Sequence, residues 1–161
     1  KAALTGHLVL STLHTNDAPS TITRLINMGI EPYLVSSSLL LVVAQRLIRR
    51  LCSKCKEEAA YPPKVLIDVG FSPEEAKTLK IFKPKGCPVC HQTGYKGRVG
   101  LFEVMEISDE IKELIASGTS HSELRRKAIE QGMFTLRKSG LEKVKNGMTS
   151  IEEVVRETVK V

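Results

Sequence analysis

Four cysteines in two C-x-x-C pairs constrain this chain more than any other feature. "CSKC" supplies Cys52 and Cys55, and "CPVC" supplies Cys87 and Cys90, with 31 residues between the pairs. A C-x-x-C turn brings two sulfurs to one side of a tight loop. Two such turns complete the four-sulfur tetrahedron that Zn²⁺ accepts. The alternatives are free thiols or a pair of adjacent C-x-x-C disulfides, which are redox-active rather than structural. His91 could stand in for a cysteine, but the cysteine set is already complete. The spacing predicts a structural Zn²⁺ site with no open coordination position. In a stretch with little apolar content, metal-binding free energy becomes folding free energy. Lys54, Lys56, Lys85 and Lys96 flank the loops and would offset the thiolate charge.

Around this centre the 161 residues carry enough apolar side chains, 42%, for one compact domain or two small ones. Aromatics are only 4%, so Leu, Ile and Val must fill the core. The formal charge is +6, and the one dense basic cluster is Arg46, Arg49 and Arg50. Basic residues are not interleaved with aromatics, which argues against a nucleic-acid surface. The chain opens on "KAALTG", which reads as the end of a helix already under way and so as a piece of something longer. The longest apolar run, "SSSLLLVVA" (36–44), is too short for a bilayer, which takes roughly 20 residues.

"TGHLVLSTLHTND" (5–17) reads as a short strand over His7–Thr12, buried on both faces as in a parallel sheet. Asp17 then caps a helix with Pro19 in its first turn, and Gly29 ends it. Pro32 opens a second helix, expected to run to about Leu51. Leu39, Val42, Val43, Leu47 and Leu51 recur at helical spacing, and Arg46, Arg49 and Arg50 fall where the helix dipole favours cations. "FSPEEAKTL" carries a capping box, Ser72 with Glu75. "KIFKPKGCPVC" reads as a short strand and a turn, and Arg98–Ile107 as a strand. Helices follow from Ser108 to near Gly118 and from Ser120, with Glu123, to Gly132. Two more close the chain, the last with Thr149 and Glu152 as a capping box.

Several chemistries have no motif here. No G-x-x-x-x-G-K-[ST] phosphate loop, H-E-x-x-H or G-x-S-x-G is present. The glycines of "TGYKGRVG" precede a strand, not a helix.

The blocks "TGHLVLSTLHTNDA", "RLINMGIEP", "AQRLIRRLC", "CPVCHQTGYKGRVGLFEVMEI" and "GMTSIEEVVR", in this order, resemble secretion ATPases of the type II secretion and type IV pilus superfamily. The resemblance covers nearly the whole chain. It implies an α/β to α+β protein: the distal part of a RecA-like ATPase core over 1–51, a tetracysteine zinc subdomain over 52–98, and a strand with a C-terminal helical region over 99–161. Thr5 to Thr15 matches the family's His box. His7 and His14 would then face a nucleotide's γ-phosphate or the group that positions water, with Thr12 and Thr15 as neighbours in the nucleotide pocket. Taken alone, each histidine would read as a satisfied core residue. Gln45 and Arg46 match the "AQRL" block. The phosphate loop, Asp box and magnesium-site motif of the family lie upstream of the His box, so ATP and Mg²⁺ would be held by a longer parent. The tetracysteine module favours the assembly or export type, and "HTNDAPSTITRLINMG" favours pilus assembly over type II secretion. The resemblance further implies a cytoplasmic homohexamer, peripheral at the inner membrane, working on a membrane platform. The competing readings are a zinc-ribbon-like nucleic-acid module and a protein-interaction module.

Overall fold

A computed structural model describes residues 2–159. In chain order, a 3₁₀ turn (Ala2–Thr5) leads through an extended segment to α1 (Ala18–Asn27) and α2 (Pro32–Ser38). Strand β1 (Leu41–Leu51), β2 (Glu57–Ala59), α3 (Pro63–Val69), α4 (Pro73–Thr78), β3 (Ile81–Lys83) and β4 (Tyr95–Glu106) follow. Four helices close the chain: α5 (Asp109–Ala116), α6 (His121–Glu130), α7 (Leu136–Lys145) and α8 (Ile151–Glu157). β1 pairs with β4, and β2 pairs antiparallel with β3 in the register Glu57↔Lys83, Glu58↔Phe82, Ala59↔Ile81. At the ends of the longer pair, Ile107 N–H donates to the Leu40 carbonyl and Cys52 N–H to that of Gly94, so β1 and β4 run antiparallel.

The chain forms two compact units, each discontinuous in sequence. The first comprises 1–44 and 103–135. In it α2 packs on α5, α1 on α6 and α2, and α5 on α6, around Ile22, Val35, Met105, Ile111, Ile115 and Leu124. The second comprises 45–102 and 136–161. There α3 meets α4, α7 meets α8 and β3, and Ile48, Leu66, Ile81, Leu101, Val144 and Val154 are buried.

Most of the expected helix starts are present. Asp17, Ser72, Ser108 and Ser120 each accept a backbone N–H of the first turn. Three expectations need correction. The helix expected from Pro32 to Leu51 stops at Ser38, and Leu41–Leu51 is strand β1, so Arg46, Arg49 and Arg50 lie on a strand and not in a last helical turn. Val42, Ala44 and Ile48 are buried while Leu41, Val43 and Leu47 are exposed, a two-residue period. The apolar spacing fits helix or strand, and pairing with β4 decides it.

The strand expected over His7–Thr12 does not form. Residues 7–15 have no regular structure, and Leu8 and Leu10 are 80% and 88% exposed. A strand needs a neighbour to take its N–H and C=O groups, and those of the described residues pair β1 with β4 and β2 with β3. The cap of α8 is Ser150, not Thr149: Ser150 Oγ accepts from Glu153 N–H, while the buried Thr149 hydroxyl donates to the Arg49 carbonyl at 2.9 Å.

Candidate metal centre

The two cysteine loops hang on the ends of paired strands. Cys52 directly follows β1, and Pro88–Cys90 forms a 3₁₀ turn, with Cys87 at its N-cap, shortly before β4. The Cys52–Gly94 backbone bond holds the two loops side by side. All four sulfurs lie within 4.8 Å of one another. Cys52 Sγ is 3.9 Å from Cys87 Sγ, Cys55 Sγ is 3.8 Å from Cys90 Sγ, and Cys87 and Cys90 are 3.7 Å apart. These separations exceed the roughly 2.05 Å of a disulfide, and all four cysteines are free. They match the edge of a tetrahedron with metal–sulfur bonds of about 2.3 Å, roughly 3.8 Å. The group can hold a metal ion. His91, exposed on the loop after Cys90, is not part of it.

Backbone donors support sulfur charge. Gly86 N–H reaches Cys55 Sγ at 3.3 Å, and Cys87 and Gly94 N–H each reach Cys90 Sγ at 3.2 Å. Burial opposes the thiolate of Cys90, but the Cys87 and Gly94 amides and the neighbouring Cys87 and Cys55 thiols together outweigh it and bring the thiol down to about 6. Burial, joined by the neighbouring sulfurs, pushes Cys55 up to about 11 despite the Gly86 amide. Within one cluster the first negative charge forms readily and further ones repel it, so the full set of thiolates calls for a cation.

Two glycines make the loops possible. A Cβ on Gly94 would lie 2.4 Å from Pro84 Cβ, and one on Gly86 would lie 2.9 Å from the Gln92 carbonyl oxygen; both residues have positive φ. Of the flanking lysines, Lys56 donates to the Gly147 carbonyl at 2.8 Å and sits over the Phe82 ring, and Lys85 pairs with Glu57.

The histidine segment belongs to the first unit. His7 and His14 are exposed, as is Thr12. His7 Nδ1 lies 3.1 Å from Thr5 Oγ1, and Thr15 Oγ1 lies 3.0 Å from Thr21 Oγ1. The segment ends on a charged cluster that the sequence reading missed. Asp17 is bound by Arg125 at 2.6 Å and lies 3.2 Å from His121 Nε2. Fully buried Glu103 accepts the N–H of Ala18 at 2.8 Å. Glu103 was legible in one respect: it lies between Leu101 and Met105 on the inward face of β4, an acid at an apolar position.

Among the described residues no helix is long and apolar enough to cross a membrane. The sequence model of the family described as "Type II/IV secretion system protein" matches residues 1–156. The chain is 54% identical over 98% of its length to the type IV pilus assembly ATPase PilB of Myxococcus xanthus, covering 28% of that protein. It is 46% identical over 99% of its length to the type IV pilus assembly ATPase PilB of Thermus thermophilus, covering 18%. It is also 46% identical over 98% of its length to the type II secretion system ATPase E of Vibrio cholerae, covering 31%. The chain therefore spans less than a third of each of these relatives.

Proposed function

The chain belongs to the type II/IV secretion system protein family, and on that premise we propose that it is part of a motor ATPase powering type IV pilus assembly by ATP hydrolysis. The observation that carries this reading is the 54% identity, over nearly the whole chain, with a pilus assembly ATPase. The second reading, a type II secretion ATPase, rests on the 46% identity with such an enzyme and ranks below it.

In this reading the four cysteines hold Zn²⁺, which supplies a structural cross-link between two loops and no open position for chemistry. The sulfur separations near 3.8 Å support that assignment. Residues 1–51 belong to a RecA-like core, 52–98 to the zinc subdomain and 99–161 to a C-terminal region. His7 and His14 take the nucleotide-sensing role, with Thr12 and Thr15 beside them. Their exposure, Thr15 excepted, leaves them open to a nucleotide and Mg²⁺ held by other parts of the motor. The working motor is a cytoplasmic homohexamer seated on an inner-membrane platform.

The chain has no phosphate loop of its own, so phosphate release from ATP by the pure 161-residue protein is expected to stay at the level of a no-protein control. The decisive experiment replaces the matching segment of the Myxococcus xanthus assembly ATPase with this chain. Restored pilus assembly, lost again on His14→Ala, is the expected result. A chimera that is stable and hydrolyses ATP but assembles no pili, while the corresponding graft restores type II secretion in Vibrio cholerae, would overturn the pilus reading.

A further inference from the structure

Four consecutive residues in the connection between α7 and α8 are each bonded to a residue within five positions of a cysteine pair. Lys56, next to Cys55, donates to the Gly147 carbonyl at 2.8 Å. Leu51, next to Cys52, donates its N–H to the Met148 carbonyl at 2.9 Å. The Arg49 carbonyl, two residues further back, accepts from Thr149 Oγ1 at 2.9 Å. Tyr95, next to Gly94, places its hydroxyl 2.7 Å from Ser150 Oγ. The same Tyr95 ring lies under the Arg49 guanidinium at 4.1 Å, and Arg49 binds Glu153 of α8 through its backbone N–H and its side chain. Gly147, Thr149, Ser150 and Glu153 are all buried.

The two sides of this grip come from both cysteine loops. Leu51 and Lys56 bracket the first pair, and Tyr95 follows the second through Gly94, whose N–H and C=O engage Cys90 Sγ and Cys52 N–H. The grip is complete only when the loops stand side by side, which is the arrangement a shared metal enforces. We propose that metal occupancy of the tetracysteine site and docking of residues 147–153 are thermodynamically linked, with Tyr95 and Lys56 as the positioning residues that couple them. The metal holds the loops in register, the loops present the four bonding partners, and the connection docks. Linkage is reciprocal, so whatever factor the metal adds to docking, the docked connection adds to metal affinity. Loss of metal then frees the start of α8 as well as the cysteine loops.

The inference rests on the metal reading above, and its test separates the two. The 161-residue chain is loaded with Zn²⁺, assayed for bound metal by elemental analysis, and titrated with a chromophoric chelator. Amide exchange is followed with and without metal. Chelation should speed exchange at Arg49, Leu51 and 148–153 at least tenfold, while α5 and α6 of the other unit keep their protection. Tyr95→Phe and Lys56→Met should each lower Zn²⁺ affinity about threefold to tenfold, the worth of one intramolecular hydrogen bond. Ser139→Ala, which removes the Ser139 Oγ acceptor of Phe102 N–H in the same unit, should leave affinity unchanged. No bound metal would overturn both readings. Bound metal with unchanged exchange at 148–153 on chelation would overturn this one alone. Wild-type affinity in both variants, or an equal loss in Ser139→Ala, would do the same. If a variant fails to fold, the exchange experiment on the unaltered chain still decides.

Discussion

Glu153 shows how a residue's chemistry can depend on a partner remote in sequence. It is 1% exposed, and its carboxylate is bound by Arg49, 104 residues away, and by Arg156 at 2.9 Å. Burial alone would raise its pKa, but the Arg49 side chain and amide outweigh that and hold it below the ordinary 4.5. Asp17 is likewise held below 3.8: burial opposes the charge, and Ser20 and His121 favour it more strongly. Because both folded values are depressed, their stabilising effect is present above the ordinary carboxylate range and is lost as pH falls through the folded values. The urea midpoint should therefore drop between pH 6 and pH 3, and the Glu153→Gln variant should show a shallower drop. Arg49→Met leaves this carboxylate with Arg156 and the backbone N–H of residue 49, so it should cost about 1–2 kcal/mol in urea unfolding at pH 7, below the ~3–5 kcal/mol of a fully broken buried pair. In sequence Glu153 resembles any acid in a first helical turn. Only its partner reveals it.

Elements divide by whether their cause is local. The caps of α1, α4, α5 and α6 were legible because an N-cap side chain meets an amide three residues on. The cysteine site was legible for the same reason, since each pair sits on one tight turn. β1 was not legible, because its apolar residues suit two periods and the choice lies with β4, some fifty residues later. The strand expected at His7–Thr12 failed for the complementary reason: its pattern is strand-like, but the described strands pair elsewhere. The α7–α8 pair gives a test at this scale. Gly140 is an interior helix position where alanine would ordinarily stabilise by up to ~1 kcal/mol. Here an added Cβ would lie 2.5 Å from Val154 Cγ1. Gly140→Ala should instead destabilise by about 1–3 kcal/mol through overpacking, read as a lower denaturant midpoint with an unchanged m-value.

At the scale of the whole molecule, charge that looks evenly spread along the sequence is sorted by the fold. The first unit holds six basic and nine acidic residues, a net of −3, and the second holds eighteen and nine, a net of +9. A walk along the chain hides this because each unit draws on two separate stretches. The exposed segment before α1 gives a further expected outcome. Leu8, Leu10 and Leu13 are 80%, 88% and 38% exposed on backbone outside any ladder. A protease that cuts after leucine should cleave first within 8–13 and leave the chain from α1 onward as a resistant product. A first cut within 45–102 would contradict this, and mass spectrometry of the early products reads the outcome.

The boundary between the units is crossed three times, after residues 44, 102 and 135, and two of those crossings fall inside β1 and β4. Neither unit is a cassette. No single pair of cuts in the gene yields either one whole, and a stop codon after residue 135 deletes part of the second unit while sparing the first. Recombination between relatives therefore has no clean place to break inside this chain, so the stretch is expected to pass between members of the family as one inherited block.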